Sequence, residues 1–278
     1  RGVWSANLSG AGTFLLVNVS NRTFVVNNFP PTHSTPLLNA SDNPMNLSSA
    51  RLTAYNRSTT DIDNDLVTNV YAWYVDGSPY AQMQLPFLGG SNATFTRDYS
   101  GHNRSAVVNG ATYNATGGPS GSGSYTFDGV NDHVNVSMPS ANLSNWTVVG
   151  WVRTTDAAAG MIMTNRFATF GQVGLSLHVG WWAGAATSNG RIYFSIDRDA
   201  CEFGTIGTTS IANGQWQHVA GVREILANGT SNYYVYVNGT LQGTNGQSVG
   251  SGCRDSSANS PAPWIIGCLL YTSDAADE

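Results

Sequence analysis

Apolar residues in this chain recur at every second position in short runs closed by turn residues, and no apolar pattern of helical period extends beyond about ten residues. Such a chain can bury a core only by laying one face of each strand against another sheet. The clearest alternations are Val134, Val136, Met138, then Val173, Leu175, Leu177, Val179, then Ile192, Phe194, Ile196. Residues 146–153 (WTVVGWVR) and 216–223 (WQHVAGVR) are apolar on both faces, as expected of strands deep in a two-layer sandwich. Residues 233–239 (YYVYVNG) end in Asn238-Gly239, a pair that tolerates positive φ and predicts a tight hairpin turn; Asp76-Gly77 predicts another. The expected class is all-β.

A length of 278 residues with 41% hydrophobic content is enough for a substantial core and fits two domains. Charged residues make up 10%, all 12 basic residues are Arg, and the net charge is -5, so no clustered basic face for nucleic acid is expected. No apolar run reaches the roughly 18 residues needed to span a bilayer. Polarity comes instead from Asn, Ser, Thr and Gly, and plentiful Trp and Tyr argue against disorder. Glycosylation sequons stand at Asn7, Asn18, Asn21, Asn39, Asn46, Asn56, Asn92, Asn103, Asn114, Asn135, Asn142, Asn145, Asn228 and Asn238. Part of that set is expected by chance in so Asn-rich a chain; the remainder points to an extracellular or cell-surface protein.

The chain reads as an internal piece of a longer protein, since Arg1 is neither an initiator Met nor the start of a leader. Residues 268–278 (CLLYTSDAADE) continue no earlier pattern and resemble a translated sequencing-library adapter, so they are expected to be a non-native tail. Setting Cys268 aside leaves Cys201 and Cys253 in Gly/Ser/Asp-rich stretches. An even count outside the cell favours a disulfide between them over a metal site.

Six segments in order then become informative: 125–129 (YTFDG) with 132–136 (DHVNV), 146–153, 214–222 (GQWQHVAGV), 233–239 and 264–267 (WIIG). Together they resemble the successive strands of a laminin-G-like or pentraxin-like jelly roll of the concanavalin A type, over residues 91–267. Residues 97–101 (RDYSG) and 109–111 (NGA) are similar to the opening of that family. The closing strand that the resemblance implies after WIIG is absent, consistent with truncation at the suspected adapter.

Residues 29–90 differ, with Pro30-Pro31, 35–39 (TPLLN), Leu52 to Tyr55, 61–65 (DIDND), Val70 to Val75 and Tyr80 to Phe87. They resemble a smaller immunoglobulin-like or PKD-like β-sandwich of the kind strung along prokaryotic surface proteins. Residues 1–28 read as the end of an upstream module or a linker, and 88–92 (LGGSN) as the link into the jelly roll.

No zinc-protease, nucleophile-elbow, dinucleotide or phosphate-loop motif occurs. His33, His102, His133, His178 and His218 show no ligand-like spacing, and His218 sits inside a core-strand motif. Glycosidases on this type of sandwich need two carboxylates close together on one strand. Asp197 and Asp199, followed by Glu202, are the internal candidates, but they run into a cysteine-bearing loop and read better as solvated. The chain is therefore expected to be non-catalytic.

Binding remains. The resemblance implies calcium at the sheet rim, held by hard oxygen ligands; Asp98 is the best-matched position, with Asp128 and Asp132 as further candidates. An Asp beside Gly is also an ordinary turn former, and Asp61, Asp63 and Asp65 admit both readings. For carbohydrate, Trp181-Trp182 follows an alternating strand and precedes a loop, so one indole should face outward; Arg191 and Tyr193, on the polar side of the next strand, would line the same surface. The function expected is a carbohydrate-binding or adhesion module with glycans or surface proteins as partners. The alternatives are a structural spacer in a stalk or surface layer, and an accessory domain of a secreted polysaccharide-degrading enzyme.

Overall fold

The computed structural model describes residues 29–41, 50–65, 67–138, 145–158, 160–165, 174–180, 189–198, 201–228, 230–244 and 263–267, with backbone alone at 3–7, 13–17, 197, 198, 201, 202, 244 and 247–249. The chain divides into two compact units, residues 1–71 and 72–278. In the first, β1 (Val3–Asn7) pairs antiparallel with β2 (Thr13–Val17), and β3 (Leu37–Ala40) with β4 (Leu52–Tyr55). Thr32 and Thr60 form a further antiparallel bridge. The Asp61 carboxylate accepts the amides of Asp63 and Asp65, which makes the acidic run a turn held by its own first residue.

The second unit opens with the hairpin β5 (Tyr74–Val75) and β6 (Ser78–Pro79). Its turn residues Asp76 and Gly77 have φ of 50° and 79°, as an Asp-Gly turn predicts. Residues 72–90, read from sequence as part of the smaller module, fall in this unit because Met83, Leu85 and Phe87 pack against its core. Gln84 donates its amide to Asp98, and the Tyr113 hydroxyl donates to the Phe87 carbonyl at 3.0 Å.

There follow β7 (Phe95–Thr96), β8 (Ala106–Asn109), β9 (Thr112–Asn114), β10 (Ser124–Thr126), β11 (His133–Val136), β12 (Trp146–Val152) and β13 (Gly160–Thr164). Next come β14 (Gly174–Val179), β15 (Arg191–Arg198), β16 (Cys201–Ser210), β17 (Gln217–Ile225), β18 (Ser231–Val237), β19 (Thr240–Thr244), β20 (Gln247–Val249) and β21 (Trp264–Gly267). One sheet has nine described strands in the order β20-β16-β15-β14-β13-β21-β11-β8-β7, and a second has four, β12-β17-β18-β19. β9 and β10 form a separate pair.

Alternation explains how the two sheets meet. Leu175, Leu177 and Val179 of β14 and Ile192, Phe194 and Ile196 of β15 point inward from the large sheet. Val148 of β12, Val219 of β17 and Tyr233, Val235 and Val237 of β18 meet them from the small one. The Trp146 and Trp264 rings stack across the layers with centroids 4.9 Å apart and 26° between planes. The result is the jelly-roll-type sandwich that the strand order implied.

Candidate functional site

On β15 the residues between the core positions face away from the small sheet. Tyr193 is nevertheless buried, its ring lying nearly parallel to the His178 imidazole at 5.0 Å and 20°. Arg191 is half-buried at the start of the strand. Ser176 and His178 on β14 and Ser195 on β15 are equally buried, and the Thr164 hydroxyl lies 3.0 Å from that of Ser176 while donating to the Leu175 carbonyl. The centre of this face is thus a covered polar row, because strands that alternate Leu with Ser and His supply small hydrogen-bonding groups on one side. Trp181 and Trp182, expected to share this surface with Arg191 and Tyr193, lie outside the described residues. Asp197 stands opposite Glu202 in the β15–β16 register, and Asp199 lies outside the described residues.

The small sheet presents the opposite situation. On β12, Trp146, Val148 and Val152 turn inward, whereas Val149 and Trp151 are exposed, Trp151 by 52%. The strands read as apolar on both faces therefore bury one of them, and Val149, Trp151 and Leu241 are exposed on the other. Register carries the outward face across the sheet: Val149 is opposite Ala220, Ala220 opposite Tyr236, and Tyr236 opposite Leu241. His218, read from sequence as sitting within a core-strand motif, lies half-buried on β17 opposite Trp151, meeting its ring edge-on at 5.3 Å.

Polar groups border these side chains. The Tyr234 hydroxyl donates to Glu224 Oε2 at 3.1 Å and accepts from Asn232 Nδ2 at 3.0 Å, which fixes its orientation. Arg153, just past the end of β12, covers the Trp216 ring at 5.0 Å. A flat surface with an exposed indole, tyrosine rings and fixed hydroxyl and amide groups can stack the apolar face of a sugar ring and bond its hydroxyls. Sequence reading missed this surface because period two identifies two faces and does not say which is covered.

The candidate calcium ligands accept hydrogen bonds from the protein itself. Asp98 is buried, with Oδ1 accepting the amides of Gln84 and Ser100 at 3.0 and 2.9 Å. Its Oδ2 accepts the Ser100 hydroxyl at 2.8 Å and the Arg104 amide at 2.9 Å. Burial pushes the carboxyl up, but the hydrogen bonds from Ser100, Arg104 and Gln84 prevail and hold it below the ordinary value. Asp128 is exposed and accepts the amides of Val130, Asn131 and Asp132, which lower its pKa and make it a turn residue. Asp132 Oδ2 in turn accepts the Asp128 amide at 3.0 Å. Among the described residues no group of three or more His, Cys, Asp or Glu side chains that could hold a metal ion is found. Cys201 opens β16, and Cys253, its expected disulfide partner, lies outside the described residues.

Comparison with known proteins gave one family model, described as the concanavalin A-like lectin/glucanases superfamily, matching residues 127–273, just over half of the chain. Among solved structures, domains LG4-5 of the mouse laminin alpha1 chain are similar at 15% identity and a TM-score of 0.38. That likeness covers 53% of this chain and 34% of the laminin one. A search of curated proteins gave no match.

Proposed function

This chain belongs to the concanavalin A-like lectin/glucanase superfamily, and on that ground we propose that it is a non-catalytic carbohydrate-binding or adhesion module working outside the cell. The observation that carries the reading is Trp151, exposed by 52% on the outer sheet face with His218 opposite it, and Tyr236 and Tyr234 on the same face one and two outward rows further along, two strands away. Neutral sugars suit it best, because the described side chains of that face carry little charge and its one visible carboxylate, Glu224, is engaged by Tyr234. The smaller unit we read as a spacer of immunoglobulin-like or PKD-like kind. No described helix is long and apolar enough to cross a membrane.

The test is binding of the full chain to an array of neutral glycans, beside Trp151→Ala and Tyr236→Ala. Removing a stacking indole should weaken binding by about tenfold, corresponding to roughly 1.4 kcal/mol. A variant lacking Trp151 that binds as well as the parent chain would remove the basis for this site. A folded parent that binds none of the glycans would favour the structural spacer.

A further inference from the structure

The sequons differ sharply in what their asparagines do. At Asn92 the carboxamide oxygen accepts both the amide and the hydroxyl of Thr94, at 2.9 and 3.0 Å. At Asn228 it accepts both from Thr230, at 3.0 and 2.7 Å. Both asparagines are exposed, one just before β7 and the other between β17 and β18. In each case the sequon threonine, two residues on, turns its hydroxyl back onto the acceptor side chain. The turn closes within three residues and needs no tertiary partner.

Attachment of a sugar requires an amide nitrogen, normally a poor nucleophile, to form a bond to carbon. Two hydrogen bonds to the amide oxygen stabilise the imidate form, in which charge sits on oxygen, and so ease loss of the N–H proton as the nitrogen attacks. Nδ2 meanwhile points away from both donors.

At Asn114 the same turn forms with a longer hydroxyl contact, Thr116 donating its amide at 3.1 Å and its hydroxyl at 3.5 Å to Oδ1. The sequons at Asn238 and Asn135 are built differently. Asn238 has a φ of 50° within the β18–β19 turn, its Oδ1 accepts the His218 amide at 2.9 Å, and its Nδ2 donates to Gln217. Asn135 lies inside β11, paired on both sides, where an extended backbone holds residue 137 roughly 7 Å away along the same face.

We propose that Asn92 and Asn228 are acceptor sites for N-linked glycosylation by an oligosaccharyltransferase using a lipid diphosphate-linked oligosaccharide. Nδ2 forms a bond to the anomeric carbon of the donor. The bond from that carbon to the diphosphate oxygen breaks, its electron pair leaves on the lipid diphosphate, and one amide proton passes to the base of the transferase. This assignment rests on the extracellular part of the proposed function and is independent of what the sandwich binds.

The experiment is secretion of the full chain, behind an added leader, from cells that carry the transferase. Occupancy of each sequon is then read by mass spectrometry after enzymatic glycan release in ¹⁸O water. Asn92 and Asn228 are expected to be occupied in most molecules, severalfold above Asn238 and Asn135. Occupancy at Asn238 or Asn135 equal to theirs, or a secreted chain bare at both Asn92 and Asn228, overturns the assignment. Loss of glycan-array binding with these two sites still occupied would sink the proposed function and leave the assignment standing.

Discussion

Gly221 of β17 lies directly beneath the Phe194 ring of β15, so close that a Cβ on the glycine would come within 2.3 Å of the ring. The two sheets meet here with no space between strand backbone and aromatic face. Gly221→Ala is therefore expected to destabilise the sandwich by about 1–3 kcal/mol through overpacking. In the background of Phe194→Leu the same change should cost much less, because the obstructing ring is gone. Urea midpoints of the four proteins measure this coupling, and additive losses would show that the ring does not set the limit.

Asp98 ties residues 84, 100 and 104 together through four accepted hydrogen bonds. Its folded pKa lies below the ordinary carboxylate value, near about 3.9, that it regains on unfolding. A depressed folded pKa contributes stability that is complete above the unfolded value and is lost as pH falls through the folded one. Asp98→Asn should therefore lower stability at neutral pH by about 1–3 kcal/mol, since an amide group cannot accept from all four donors. It should also flatten the decline of stability below about pH 4. Denaturant midpoints between neutral and acid pH check both statements; equal acid slopes in the two proteins would show that another carboxylate carries the effect.

Local chemistry made the elements of the sandwich readable, and distance in sequence hid their arrangement. Leu175, Leu177 and Val179 and Ile192, Phe194 and Ile196 point to the core as their alternation predicts. Asn238 and Gly239 take φ of 50° and 77°, as a two-residue hairpin turn requires. By contrast, β21 inserts between β11 and β13, pairing Ile266 with both Val134 and Met163, and nothing local to WIIG specifies those partners. The candidate site was hidden for the same reason. Tyr193 and Trp151 both occupy non-core positions of alternating strands, yet one is 6% and the other 52% exposed. What covers each is decided elsewhere in the chain.

Asn238 supports a prediction of its own because it combines strain with two side-chain bonds. Its positive φ is costly for any residue with a Cβ, and its Oδ1 repays part of that cost by accepting the His218 amide. Asn238→Ala keeps the strain and loses the bond, so a loss of about 1–2 kcal/mol is expected. Asn238→Gly loses the bond and removes the strain, and should fall between the parent and the alanine variant. Thermal melts rank the three, and a glycine variant less stable than the alanine one would show that the backbone conformation is not what Asn238 is there to satisfy.

Two tryptophans on the two sides of the small sheet separate stability from recognition. Trp264 is 1% exposed and stacked on Trp146 in the core, so Trp264→Ala leaves a cavity and should cost about 3–5 kcal/mol. Trp151 is half exposed and borders solvent, so its removal opens no enclosed void; the expected loss is below about 1 kcal/mol, mostly from the edge contact with His218. If the outer face recognises sugar, Trp151→Ala should melt close to the parent chain while losing binding, a combination that a purely structural indole would not produce. Trp264→Ala, studied at a temperature where it remains folded, should keep its affinity. A Trp151 variant that loses stability and binding together would instead mark the indole as part of the packing of the sheet.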